Sequence, residues 1–393
     1  MVNGFLRADI NVKACWAALA LMLLAALAVM MHRHPPNGEL YFGDSAVFTV
    51  AGERVVAGED PYEGAVVEYE ENGLPFISPP VVAMTFGGLY WILGPALMGV
   101  MMFSHFVALI GSPWIQTRLF LGPKPSHLAL GFGVFACSIG AAAVTTFVSG
   151  NFGASMHFAI IATMAHGLRK GQWRWMHLAI ALSCLVKPTY AAYWIVPVLW
   201  QGWNWREVKN AAIVAGIVAL IYAVSYVANP SYFDAWLGSL NRQVSGTGDY
   251  GHSVYGQLAW RMIFDEHQHT LIPYLAHIAV MGALLAFILL DKTTGLRKAA
   301  ALIVFSILVN PRMKEYDMAF AAVPLAALYL SALIPPTADA MRRALAIAAT
   351  VAIFFALLIA DNLPIVGPFM YVIAMSAGIL TLALKRPDLP ANP

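Results

Sequence analysis

Long runs of apolar residues recur along the whole chain, separated by short polar turns and two longer polar stretches. A helix needs about 20 mostly apolar residues to cross a hydrocarbon core of about 30 Å, whereas a membrane β-barrel shows alternating segments of about ten residues. The pattern therefore predicts an all-α polytopic membrane protein with about twelve transmembrane helices. The predicted spans are 12–31, 79–93, 95–117, 127–148, 151–168, 176–200, 208–228, 271–290, 299–310, 315–334, 344–361 and 364–384.

The two polar stretches cover residues 32–78 and 229–270, and both mix aromatic with polar side chains as folded loops do. Composition marks no domain boundary, which predicts one membrane domain over 1–393. No small-residue cleavage signature follows the first run, which predicts an uncleaved span. Lys and Arg fall at alternate short turns, and the positive-inside rule then places both termini in the cytoplasm and both long loops outside.

The middle of the chain leaves two topologies open. If 79–93 and 176–200 each cross once, five basic residues face outward against the positive-inside rule. If 79–93 does not cross and 176–200 folds back at Lys187-Pro188, the same residues face inward. The five residues are Arg118, Lys124, Arg169, Lys170 and Arg174.

Composition agrees with a lipid environment, because 60% of the residues are hydrophobic and 11% are charged, against about a quarter charged in soluble domains. The net charge of +2 comes from dispersed basic residues and predicts no nucleic-acid partner. The three cysteines lie in apolar segments without CxxC spacing and are interpreted as core residues. The sequence contains no HExxH or phosphate-cradling glycine motif, and we predict no metal or cofactor.

Acidic residues concentrate in the first polar stretch. Nine of the 21 carboxylates lie between Pro35 and Ser78, together with a single basic residue, Arg54. Asp44 is the candidate general base because it heads a predicted amphipathic helix soon after the first span. A helix N-cap is the alternative interpretation of Asp44. Its rivals for catalysis are Glu53, Glu59, Asp60 and Glu63.

Ionisable residues inside apolar spans often mark a site, and Lys187, followed by Pro188, is the clearest case. It is a candidate clamp for an anionic group, although a lysine that snorkels to the interface fits the same position. Proline at membrane depth is tolerated beside a cavity or where other groups satisfy the freed carbonyl.

Three further polar segments supply candidate ligand-binding residues, each with a plainer alternative. The turn NPRMKEYD at 310–317 contributes Arg312, Lys314 and Tyr316, and an ordinary charged turn would look the same. Asn151 lies in the break SGN between two apolar runs, where a turn residue is equally expected. His252 lies in GDYGHS, where a surface histidine is the alternative.

With these residues in place, the chain resembles the integral-membrane glycosyltransferases of family 87. The resemblance rests on an ordered series of short motifs rather than on one strong motif. The series comprises GDSAVFTVAGERVVAG after the first span, the turn Gly58-Glu59-Asp60-Pro61-Tyr62, FISPP with Pro79 and Pro80, Gly150-Asn151, Lys187-Pro188 and Asn310-Pro311. The family more often has Tyr-Pro-Pro at 78–80 and Gly-Gln-x-Asn at the break, so sugar and acceptor specificity do not carry over.

The resemblance implies the C-type glycosyltransferase superfold, a polyprenyl-phosphate sugar donor and an inverting reaction with Asp44 as base. A lipid or glycan acceptor hydroxyl on the extracytoplasmic face would receive the sugar, with mannose the first choice. Lys187, Arg312 and Lys314 are then candidates to bind the donor phosphate. Asn151, His252, Tyr62 and Tyr316 complete the predicted substrate-binding set, with loop shaping the alternative role of Tyr62. A transporter or flippase for a lipid-linked or anionic substrate remains the alternative function, since a broken helix also suits a substrate path.

Overall fold

The computed structural model describes residues 12–33, 42–64, 74–138, 146, 149–246, 253–261, 271–335, 338–360 and 367–384. Within these ranges the chain is helical and forms no β-strand, only an isolated bridge between Trp200 and Gly202. The all-α prediction is confirmed. His252 and much of both long polar stretches lie outside the described residues.

In the first half of the chain, the described residues form nine α-helices. They are α1 (Val12–Arg33), α2 (Gly43–Ala57), α3 (Pro80–Leu93), α4 (Ala96–Gln116), α5 (Pro125–Ala136), α6 (Gly153–Lys170), α7 (Arg174–Val186), α8 (Ile195–Leu199) and α9 (Trp205–Ala228). A π-helical turn, Thr117–Leu121, extends α4, and a 3₁₀-helix, Pro188–Trp194, joins α7 to α8.

The second half continues in the same way. Its helices are α10 (Pro230–Gly246), α11 (Val254–Arg261), α12 (Leu271–Leu290), α13 (Gly295–Leu308), α14 (Glu315–Ala319), α15 (Ala322–Leu333), α16 (Ala340–Ala360) and α17 (Gly367–Leu380). A short 3₁₀-helix, Thr381–Ala383, follows α17.

Helix length separates two groups of apolar helices. In the described part of the chain, four helices are long and apolar enough to cross a membrane: α4 with its π-helical turn, α9, α12 and α16. Central helices such as α7, α13 and α15 have only 12–14 residues, or about 18–21 Å at 1.5 Å per residue. They are shorter than the hydrocarbon core. Twelve full crossings and the C-type superfold therefore stay predictions.

Helix α13 forms the centre of the molecule, because every residue from Arg297 to Leu308 is buried. Its two buried basic residues donate hydrogen bonds to the ends of other helices. Lys298 donates to the carbonyls of Ile288 and Asp291 at the end of α12, and Arg297 donates to that of Leu384 beyond α17. Such contacts satisfy carbonyls that a helix end leaves without an intrahelical partner.

The segment 174–200 folds back on itself. Trp173 precedes the segment and Trp200 ends it, and the centroids of their rings lie 5.7 Å apart. Lys187 lies at the midpoint of the segment, where α7 ends. The Trp200 carbonyl also accepts from the Gly295 N–H at 3.2 Å. We call the end of the molecule marked by these residues the basic end. Lys187 therefore lies about 20 Å from it, judged by the length of α7.

Helix α3 does not lead to the basic end. It packs along α2, and a Cβ on Gly52 of α2 would lie 2.6 Å from the Phe86 carbonyl oxygen, so only glycine permits this approach. Beyond α3, the chain stays beside α2, because the Thr49 hydroxyl contacts the sulfur atoms of Met98 and Met101. The chain thus lies beside α2 both along α3 and after it.

Helices α4 and α6 run side by side in the same direction. The hydroxyls of Ser104 and Ser155 lie 3.1 Å apart, and further along both helices a Cβ on Gly111 would lie 2.4 Å from the Phe158 ring. Their carboxyl ends, near Arg118 and Lys170, therefore point the same way, and Lys170 is three residues from Trp173 at the basic end. Of the two topologies left open by the sequence, the structure supports the one in which 176–200 folds back. It groups all five ambiguous basic residues at the basic end.

Candidate active site

The start of α2 is attached to the break before α6. The Asn151 side-chain amide donates to Asp44 Oδ2 at 2.7 Å, and Ser45 Oγ donates to the Gly150 carbonyl at 2.6 Å. Gly150 has a φ of +63°, and a Cβ there would lie 2.8 Å from both Phe42 and Ser45. The polar break is thus a docking turn that requires glycine for the left-handed conformation and the close approach.

Asp44 is half-buried in the first turn of α2. The N-cap position is Phe42, with left-handed backbone geometry, so the N-cap interpretation of Asp44 does not hold. Burial raises the pKa of Asp44, opposed by the hydrogen bond from Asn151 and the positive charge of Lys314. A carboxylate whose pKa is raised and which one donor orients is suited to general base catalysis.

Lys187 lies where the helical backbone is interrupted. Helix α7 ends at Val186, Lys187 is extended, and Pro188 begins the 3₁₀-helix. The Lys187 ammonium donates to Asp317 Oδ2 at 3.0 Å and lies 5.5 Å from the centre of the Tyr316 ring. Its side chain is 30% exposed, so a ligand can reach it.

Asp317 is nearly fully buried and accepts hydrogen bonds at both carboxylate oxygens. His157 Nε2 lies 3.0 Å from Oδ1, and Oδ2 receives the Lys187 ammonium at 3.0 Å, the Lys314 backbone N–H at 3.2 Å and the Asn310 amide at 3.4 Å. Burial alone would raise the pKa of Asp317. The charge and hydrogen bonds of Lys187 and His157 outweigh burial and hold that pKa well below its usual range.

His157 continues this network into the core. Because an ionised carboxylate only accepts, the nitrogen facing Asp317 carries a proton, and the other nitrogen lies 2.8 Å from the Tyr193 hydroxyl. A neutral imidazole therefore satisfies both neighbours. A cavity of about 10 Å³ between His157, Tyr193, Asn310 and Asp317 is polar and about large enough for one water molecule.

Tyr316 lies close to both carboxylates. Burial raises its pKa, as do the negative charges of Asp317 and Asp44, whereas the Asn151 hydrogen bond and the Arg312 charge lower it. The structure thus brings Asp44, Asn151, Lys187, Lys314 and Tyr316 to one place, with Arg312 beside Tyr316. Tyr316 neighbours both Asp44 and Lys187. We call the surroundings of these three residues the cleft, which combines a carboxylate of raised pKa with cations.

One predicted site residue, Tyr62, is not brought to this cleft. Tyr62 is almost fully buried in a separate hydrophobic cluster beneath α2, with its ring 5.4 Å from that of Phe76 and its hydroxyl donating to the Ser78 carbonyl at 2.9 Å. It holds the acidic loop against the next helix, as its alternative interpretation proposed. His252 lies outside the described residues. Across the described ranges no group of three metal-ligating side chains comes together.

Sequence reasoning left His157, Asp317 and Tyr193 out of the site. His157 could have been found by the criterion that selected Lys187, because it is an ionisable residue inside a predicted span. Asp317 stands in the 310–317 turn but was not assigned a role. Its contacts with His157 and Lys187 join residues 160 and 130 positions apart, and no local pattern reveals such contacts.

The fold and the cleft define an all-helical membrane protein with a charged site. The sequence model of glycosyltransferase family 87 matches residues 76–311, more than half of the chain. This protein belongs to glycosyltransferase family 87 and is a membrane glycosyltransferase. No curated protein matches the chain.

The matched segment includes Asn151, Lys187 and Asn310, but Asp44 and residues 312–317 lie outside it. The family match therefore carries the class of reaction. Roles for Asp44, Lys314 and Asp317 rest on the geometry of this chain.

Proposed function

We propose that this protein transfers a sugar, mannose as the first choice, from a polyprenyl-phosphate donor to a hydroxyl of a lipid or glycan acceptor. Asp44 is the general base and the anomeric carbon is inverted. The observation that carries the proposal is the placement of a carboxylate with a raised pKa opposite Lys187 and Lys314 in one cleft.

In this mechanism, Asp44 accepts the proton of the acceptor hydroxyl as its oxygen attacks the anomeric carbon. The bond from that carbon to the phosphate oxygen breaks, and its electron pair leaves with the polyprenyl phosphate. Attack opposite the leaving group inverts the configuration. Asn151 holds one oxygen of Asp44 and thereby orients the carboxylate, which general base catalysis requires.

Cations are needed because negative charge grows on the departing phosphate. Lys187 offers an ammonium that is partly exposed at the end of a broken helix, and Lys314 and Arg312 follow on the adjoining turn. A donor with a polyprenyl tail in the bilayer presents its phosphate near the membrane surface. Lys187, about 20 Å from the basic end, suits that depth in a core of about 30 Å.

We also propose that the cleft faces the extracytoplasmic side of a multi-pass cell-membrane protein. The support is the grouping of basic residues at the opposite end, which the positive-inside rule assigns to the cytoplasm. In this arrangement, residues 32–78 form the catalytic loop and 229–270 a second outer loop.

The test is transfer of radiolabel from a panel of polyprenyl-phosphate sugars into membrane lipids by the purified protein. The wild type is compared with Asp44→Asn and with Glu53→Gln, an exposed acid on the same helix. We expect transfer by the wild type and by Glu53→Gln but none by Asp44→Asn. Transfer by all three variants would move the base to another acid. No transfer from any donor by folded wild type would favour the transporter.

A further inference from the structure

The contact with Asp317 holds Lys187 in place but uses only part of the hydrogen-bonding capacity of its ammonium group. Its ammonium has three N–H groups, and one donates to Asp317. The same ammonium faces Tyr316 on the side toward Asp44 and Asn151. The contact with Asp317 thus fixes the position of the charge and leaves donors for an anion in the cleft.

Asp317 is itself fixed independently of Lys187. Three donors remain if the lysine is discounted: His157, the Asn310 amide and the Lys314 backbone N–H. His157 is in turn held by the Tyr193 hydroxyl and by stacking on Phe320, with ring centroids 4.5 Å apart. The Asp317 carboxylate and His157 are buried, so the carboxylate is a well-supported anchor for the partly exposed Lys187 side chain.

We propose that Asp317 is a positioning residue for sugar transfer, which acts by fixing the Lys187 ammonium where the donor phosphate binds. The proposal rests on the proposed function, because it needs a donor that carries phosphate. Asp317 touches neither substrate in this account. Asp317 affects the reaction only by positioning Lys187. It affects the stability of the fold through all four groups that donate hydrogen bonds to it.

This route through Lys187 has a measurable consequence. A misplacement of about 1 Å in a catalytic group can cost about 100-fold in rate. We therefore expect Asp317→Asn to lower kcat/KM for the donor by about 100-fold, mainly through a higher KM. In a Lys187→Met background, the same substitution should have almost no further effect, because residues that act through one another are not additive.

The matched control is a second buried histidine–carboxylate pair, His177 and Glu207, which lies at the basic end with Nε2 and Oε2 2.8 Å apart. Glu207→Gln disturbs a pair of the same kind far from the cleft. It should lower the unfolding temperature in detergent but leave the donor KM unchanged. A loss of activity caused only by a weakened fold would appear in both variants.

The experiment measures donor kcat and KM for the wild type, Asp317→Asn, Lys187→Met, their double variant and Glu207→Gln, using the polyprenyl-phosphate sugar that the wild type transfers. Non-additive losses for Asp317 and Lys187 support the proposal. Additive losses, or an unchanged donor KM in Asp317→Asn, would overturn this proposal. The proposed function would still stand in that case, because it is tested separately by transfer with the wild type.

Asp317→Glu provides a second test if Asp317→Asn does not fold. It keeps the negative charge and moves it by about one methylene, which displaces Lys187. The proposal predicts a raised KM in this variant, and wild-type kinetics would overturn it.

Discussion

Asp44 and Asp317 are carboxylates at two sides of the same cleft, yet their surroundings act on them in opposite directions. Asp44 receives one side-chain amide, and burial raises its pKa. Asp317 receives four donors, two of them from Lys187 and His157, and its pKa lies well below the usual range. The pair teaches how to assign roles, because carboxylates with pKa values pushed apart commonly divide the work of a site. In the proposed mechanism, Asp44 takes up a proton and Asp317 remains charged.

The largest loss of stability is expected from Asp317→Ala, and it should distinguish Asp317 from Asp44. Asp317→Ala leaves Lys187 without its counter-charge and His157 without its acceptor, and breaking such a buried pair costs about 3–5 kcal/mol. Chemical unfolding in detergent should show a loss of this size for Asp317→Ala. A loss below 1 kcal/mol, measured beside Asp44→Ala, would mean that the four contacts to Asp317 contribute little.

Among substitutions that leave Asp44 in place, Lys187→Met should have the largest effect on catalysis. Removing one group that stabilises developing charge costs about 100- to 1,000-fold. We expect a loss of this size in kcat/KM that includes a higher donor KM, because Lys187 also binds the donor phosphate before the bond breaks. Asp317 retains three donors, so the fold should persist at a lower stability. Donor transfer and unfolding in detergent are measured on the same preparation. A transfer rate within about twofold of wild type would exclude Lys187 from the phosphate site.

A smaller effect is expected from Asn151→Ala, which removes the donor to Asp44 and leaves Asp317 untouched. Loss of one hydrogen bond to a charged group costs about 1.5–3 kcal/mol, and we expect a roughly tenfold drop in kcat/KM. Since that bond lowers the pKa of Asp44, its removal should move the acid limb of the pH profile upward. Asn151→Asp adds a second carboxylate and should move that limb further in the same direction.

The smallest effect is the pH dependence of the wild type. A base must be ionised to act, so kcat/KM should fall on the acid side, with an apparent pKa above the ordinary aspartate value of about 3.9. Asp317 contributes stability above that ordinary value, which is lost only as pH falls toward its depressed pKa. Transfer should therefore fall off at a pH where unfolding measurements still report a native protein. Simultaneous loss of both would contradict the division of roles.

The sequence predicted the residues of the cleft better than the path of the chain around it. Asp44, Asn151, Lys187 and the 310–317 turn were singled out because charge and polarity stand out against apolar runs, and the structure brings members of all four together. Their roles in catalysis remain predictions.

The path of the chain was harder to predict. Residues 79–93 and 176–200 have the composition of crossings, but α3 returns to α2 and α7 ends at Lys187 in a hairpin. Hydropathy reports that a segment avoids water and cannot report whether protein or lipid surrounds it. For the same reason the support of Lys187 by Asp317 and His157 was missed, because it depends on packing between distant helices.

The most direct test of the central claim compares Asp44→Asn with Asp317→Asn in one pair of assays, donor transfer and unfolding at neutral pH. Because burial raises the pKa of Asp44, its ionised form costs stability at neutral pH, and asparagine removes that cost. We expect Asp44→Asn to abolish transfer and to unfold at a slightly higher temperature than wild type. We expect Asp317→Asn to unfold at a lower temperature and to retain weak transfer with a raised KM. Wild-type transfer by Asp44→Asn, or equal destabilisation of both variants, would show that the two carboxylates do not divide these roles.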